Sequence, residues 1–95
     1  MSDVMDQAVA ALSEKLDGGL DGSVKFVLKG EGSIMADGAG VRAEDGAADV
    51  TLTAEAEDFR DMMTGALNPT TAFMTGRLTV DGDMGLAMRL ASMLA

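Results

Sequence analysis

Apolar residues recur at Met5, Ala8, Val9, Leu12 and Leu16, at intervals of three and four, which predicts an opening amphipathic helix. Ser2 is placed to cap it, and Asp3 and Asp6 lie near its positive end. The run Asp17-Gly18-Gly19-Leu20-Asp21-Gly22 breaks that period. From Val24 the pattern alternates instead, with Val24, Phe26 and Leu28 on one face and Lys25 and Lys29 on the other, as in a strand. Turns at Gly30-Glu31-Gly32 and Asp37-Gly38-Ala39-Gly40 set off a second strand around Ile34 and Met35 and a third at Val41-Arg42-Ala43. Three antiparallel strands in succession are expected.

After the Asp45-Gly46 turn, Val50, Leu52 and Ala54 alternate with Thr51 and Thr53 in a fourth strand. A helix is predicted from about Glu57 to Thr64, with Phe59, Met62 and Met63 sharing a face. Gly65 can close it in the left-handed conformation, and Asn68 before Pro69 forms an N-cap with proline at the first helical position. The short helix that begins there carries Ala72 and Phe73 and stops at Gly76. Leu78 and Val80 then alternate with Arg77, Thr79 and Asp81 in a fifth strand. Asp83 caps a last helix, from about Met84, that puts Leu86, Ala87, Leu90, Met93 and Leu94 on one side. Helices at both ends and around one strand run define an α+β class with helices packed on one face of a sheet.

A length of 95 residues suits one core and is too short for two, so residues 1–95 are expected to form one domain. The longest apolar run, Ala8 to Leu12, is far below a membrane span, and no secretory or peroxisomal address stands out, so a soluble cytoplasmic protein is expected. The chain has neither cysteine nor histidine, which removes thiolate nucleophiles, zinc-thiolate sites and the commonest proton carrier near neutral pH. A net charge of -9 repels nucleic-acid backbones and anionic membranes, which leaves at most brief, apolar membrane contact.

Three motifs are excluded by their context. Gly38-Ala39-Gly40-Val41-Arg42-Ala43 has the letters of a dinucleotide-binding turn, but Asp45-Gly46 cuts it off before any helix can meet a pyrophosphate. Asp81-Gly82-Asp83 resembles the start of a calcium loop, yet Gly85 falls where a third oxygen ligand belongs and no glutamate closes it. Proline at 69 disqualifies Asn68-Pro69-Thr70 as a glycosylation acceptor. The acidic pairs Glu44 with Asp45 and Glu57 with Asp58 read as solvated surface, so neither catalysis, a cofactor nor a metal is expected. Nine methionines remain, and they suit either an ordinary core or an adaptable cavity wall with Phe59 and Phe73 as rigid members.

Gly65, Pro69, Ala72, Phe73, Gly76, Leu78, Val80, Gly82, Asp83, Ala87 and Leu90 stand at a spacing that resembles the sterol carrier protein type 2 domain, closely over residues 49 to 94. Arg77 stands where that family often has lysine. The resemblance implies a mostly antiparallel sheet of five strands, in order 3-2-1-4-5, with helices over one face and an apolar tunnel between. It also implies non-enzymatic binding, with transfer or presentation, of a fatty acid, acyl-CoA, phospholipid, sterol or isoprenoid. By position, the expected lining is Met5, Val9, Leu12, Phe26, Phe59, Met63, Phe73, Leu78, Leu86 and Leu90, with Arg77 a possible headgroup contact. The alternative is a protein-interaction module whose apolar groove receives a partner's helix.

Overall fold

The computed structural model describes residues 3–16 and 22–94. The elements run α1 (Asp3–Lys15), β1 (Val24–Lys29), β2 (Gly32–Asp37), β3 (Gly40–Ala43), β4 (Val50–Glu55), α2 (Ala56–Thr64), α3 (Pro69–Met74), β5 (Leu78–Gly82) and α4 (Met84–Leu94). The strands form one sheet in the order β3-β2-β1-β4-β5. Every neighbouring pair is antiparallel except β1 with β4, which run parallel with Val24 opposite Val50 and Lys29 opposite Glu55. The α+β class, the strand order and the packing of helices on one face are as the sequence and the resemblance imply.

One face of the sheet is apolar throughout, because register places inward residues side by side: Phe26 lies opposite both Ile34 and Leu52, and Ala54 lies opposite Leu78. Ala8, Leu12 and Leu16 of the first helical segment, Phe59 and Met62 of α2, Ala72 of α3, and Leu86, Ala87 and Leu90 of α4 close over this face in one cluster. On the opposite face Lys25 Nζ pairs with Asp45 Oδ1 at 3.0 Å. That pair draws the connection from β3 to β4 across the outward side of the sheet, beside Met35, the register partner of Lys25, which is buried. Arg42 closes the same side with two hydrogen bonds to Asp37, at 3.1 and 3.0 Å.

Local chemistry accounts for the element ends. Asn68 Oδ1 accepts from the backbone N–H of Thr70 and Thr71 at 2.8 and 3.3 Å, ahead of Pro69. Asp83 Oδ1 accepts from Leu86 N–H at 3.0 Å, and Gly65 ends α2 with φ of 86°. α2 starts at Ala56, one residue before the position the sequence predicts. Glu55 at its N-cap makes no side-chain capping hydrogen bond, so the carboxylates of Glu57 and Asp58 in the first turn stand in by offsetting the dipole. The Ser2 cap and the break at Asp17 to Asp21 lie outside the described residues.

Asp49 ties three elements together. Its carboxylate accepts from Ser23 N–H at 3.0 Å, its own N–H donates to Ser23 Oγ at 3.0 Å, and its carbonyl accepts from Asp83 N–H at 3.0 Å. Gly82 passes close against this knot at φ of 114°, and a Cβ there would collide with the Asp49 carbonyl oxygen.

Candidate functional site

A cavity of about 530 Å³ separates α1 from α2, with Leu28 of β1 at its base. α1 turns Val4, Ala8 and Ala11 toward it, residues spaced so that they fall on one helical face. α2 supplies Ala56, Phe59 and Met63 from the other side. The space exists because α1 presents alanines where a larger residue would fill the gap. Gln7, Glu57, Arg60 and Thr64 complete the lining and are exposed, so they mark the solvent side. Among the described residues Arg60 enters no ion pair.

The expected lining residues divide into four groups. Phe59 and Met63 border this cavity. Leu12, Phe26, Leu86 and Leu90 are instead buried in the core cluster, with Phe26 behind Phe59 rather than on the open space. Met5 and Val9 are half-buried against the same core and do not line the cavity. The Met5 methyl reaches the start of β2, 3.2 Å from where a Cβ on Gly32 would sit. Val4 and Ala11 take the places the sequence reading gave to Met5 and Val9. Their signal was the small-residue spacing with Ala8, which a search for bulky apolar residues passes over.

Phe73 and Leu78 are brought together elsewhere. They border a second gap of about 50 Å³ among α3, α4 and the β4–β5 edge, with Leu52, Val80, Met84 and Met88. That volume is too small for a lipid chain. Phe73 is 44% exposed because the inward positions of the six-residue α3 are taken by Pro69 and Ala72. Arg77 is exposed ahead of β5 and borders neither space.

No group of three or more acidic residues that could hold a metal occurs among the described residues, and none of their helices is long and apolar enough to cross a membrane. The Asp37 carboxyl is held below its ordinary range by the Arg42 side chain, and next by the Ala39 N–H. This pair lies on the outward face of the sheet, away from the cavity.

A five-stranded sheet in this order with helices over one face is the architecture of the sterol-carrier class of domain. The chain belongs to the SCP-2 sterol transfer family, whose model matches residues 4–95. It is 41% identical over 81 residues to hydroxysteroid dehydrogenase-like protein 2 of Xenopus tropicalis, covering 77% of this chain and 19% of that protein. It is 42% identical over 67 residues to sterol carrier protein 2 of Rattus norvegicus, covering 70% of this chain and 11% of that protein. The chain thus spans less than a fifth of these curated relatives. Among solved structures, sterol carrier protein 2 of Aedes aegypti in complex with the C16 fatty acid palmitate aligns with a TM-score of 0.81 at 25% identity, over 100% of this chain and 97% of that one. Sterol carrier protein 2 like 2 of the same mosquito aligns with a TM-score of 0.79 at 21% identity, over 94% of each chain, which speaks for the fold alone.

Proposed function

We propose that the chain binds an amphiphile with a long hydrocarbon tail, such as a fatty acid, in the cavity between α1 and α2, and performs no chemistry on it. The observation that carries this reading is the cavity itself. Its volume of about 530 Å³ falls within the roughly 300–1,000 Å³ typical of ligand pockets. The space is open to solvent on the side of Gln7, Glu57, Arg60 and Thr64. Water therefore fills it without ligand, and hydrocarbon replaces that water at a gain of about 0.8 kcal/mol per methylene.

The lining suits such a tail. Met63 can change rotamer to follow chains of different shape, while Phe59, braced by Phe26, keeps one wall fixed. At the solvent side, Arg60 offers a positive charge to an acidic head, and Gln7 and Thr64 offer neutral hydrogen-bonding groups. The palmitate complex of the mosquito relative supports the same ligand class. Transfer between membranes, rather than storage, is the use we propose.

Native mass spectrometry after incubation with palmitate tests this reading. A species heavier by one fatty acid is expected, and weaker retention in Arg60→Gln. A protein that keeps its bare mass with palmitate, phospholipid and isoprenoid alike rules the reading out.

A further inference from the structure

Four of the five exposed large apolar side chains among the described residues belong to α3 and α4: Phe73, Met74, Met84 and Met88. Phe73, Met84 and Met88 are neighbours in space, since all three border the 50 Å³ gap, and Met74 adjoins Phe73. Met74 is the most exposed of them, at 79%. Thr70 is the one polar residue around that gap, which reaches down to Leu52 and Leu78 on the inward face of the sheet.

The charge of the chain is distributed to match. Arg77 and Arg89 balance Asp81 and Asp83, so residues 65–95 are neutral and the whole net charge of -9 falls on residues 1–64. α3 and α4 contain no acidic residue, and Arg89 is their single charge. The apolar patch therefore sits on the side of a strongly acidic protein that can approach a lipid surface without repulsion, while the remainder is driven away from anionic headgroups.

We propose that the α3–α4 face is a docking patch for a lipid bilayer, with Phe73, Met74, Met84 and Met88 entering the headgroup region of zwitterionic lipid. Flexible methionines adapt to a fluid, irregular surface. Contact is apolar and does not depend on cations. This inference rests on the lipid-binding reading for its purpose, but it concerns a different face from the α1–α2 cavity.

Flotation with phosphatidylcholine vesicles, at low and high salt, tests the patch on the wild-type protein and on Met74→Ser/Met88→Ser. Binding that salt does not weaken is expected, with a loss of roughly tenfold in the double variant. Solution affinity for a fluorescent fatty acid should stay the same in that variant. If the double variant melts early, Met74→Ser alone carries the comparison. Wild-type protein that binds the fatty acid but not the vesicles overturns the patch and leaves the cavity reading intact. Vesicle binding that survives the substitutions, or a dimer that the substitutions dissociate in sedimentation, also overturns it. Vesicle binding lost with the patch, in a protein that takes up no fatty acid, supports the patch and counts against the cavity reading alone.

Discussion

Phe26 of β1 and Phe59 of α2 meet edge to face, with ring centroids 5.7 Å apart and planes at 68°. Phe26 belongs to the core and Phe59 borders the open cavity, so one ring pair joins the stability of the sheet to the shape of the site. Such pairs contribute about 0.5–1.5 kcal/mol beyond the area they bury.

Phe59→Leu should therefore lower stability by about 1–2 kcal/mol and shift the affinity for a fluorescent acyl probe several-fold. Phe73→Leu, on the exposed rim of the smaller gap, should leave that affinity unchanged. Denaturant melts and probe titrations of the two variants check the ranking, and the reverse order would move the site to the α3–α4 side.

Ligand should stabilise the delipidated protein measurably. At palmitate about 100 times its dissociation constant the gain is about 2.7 kcal/mol, or roughly 10–20 °C in Tm for a domain of this length. A melting curve that palmitate does not move contradicts filling of the α1–α2 cavity.

Gly82→Ala should destabilise the fold more than Gly76→Ala. Both positions have positive φ, 114° and 81°, so each substitution carries backbone strain of about 1–3 kcal/mol. A Cβ at position 76 meets open space, whereas one at position 82 strikes the Asp49 carbonyl and lies 3.0 Å from Val50 Cα. That carbonyl cannot retreat without stretching its bond from Asp83 N–H. Equal losses in urea unfolding would show that the crossing has slack.

The Asp37 carboxyl, lowered by Arg42, should titrate below an ordinary aspartate. Its contribution to stability is then fully present above the ordinary aspartate pKa and is lost as pH falls through the lowered value. In Arg42→Gln the side-chain carbon signal of Asp37 should titrate at higher pH than in wild type. Because the pair is still partly open to solvent, the accompanying loss of acid stability should be small and weakened further by salt.

The elements were legible wherever their signals are local. Asn68 before Pro69, Asp83 before the last helix and Gly65 after α2 each act on backbone groups within a few residues, and each is found in that role. Alternation through Val24, Phe26 and Leu28 likewise identified the inward face. The cavity was harder to read because it depends on which side of α1 meets α2. Met5 and Val9, or Val4 and Ala11, could each satisfy the helical period, and only the tertiary neighbour decides. Phe73 misled for a related reason, since an aromatic ring is expected inside while Pro69 and Ala72 already occupy the inward side of α3.

The parallel seam between β1 and β4 gives the site a place in time as well as in space. β1, β2 and β3 are joined by short turns and can pair in sequence, whereas Val24 must find Val50 across 26 residues of chain. Leu28 stands on one side of that seam, and α2, which completes the cavity, follows directly from the other. A nascent chain thus has no complete cavity until this parallel pairing has closed. A lipid that occupies the cavity can bind only after that closure, so it should slow escape from the folded state while leaving the rate of folding untouched.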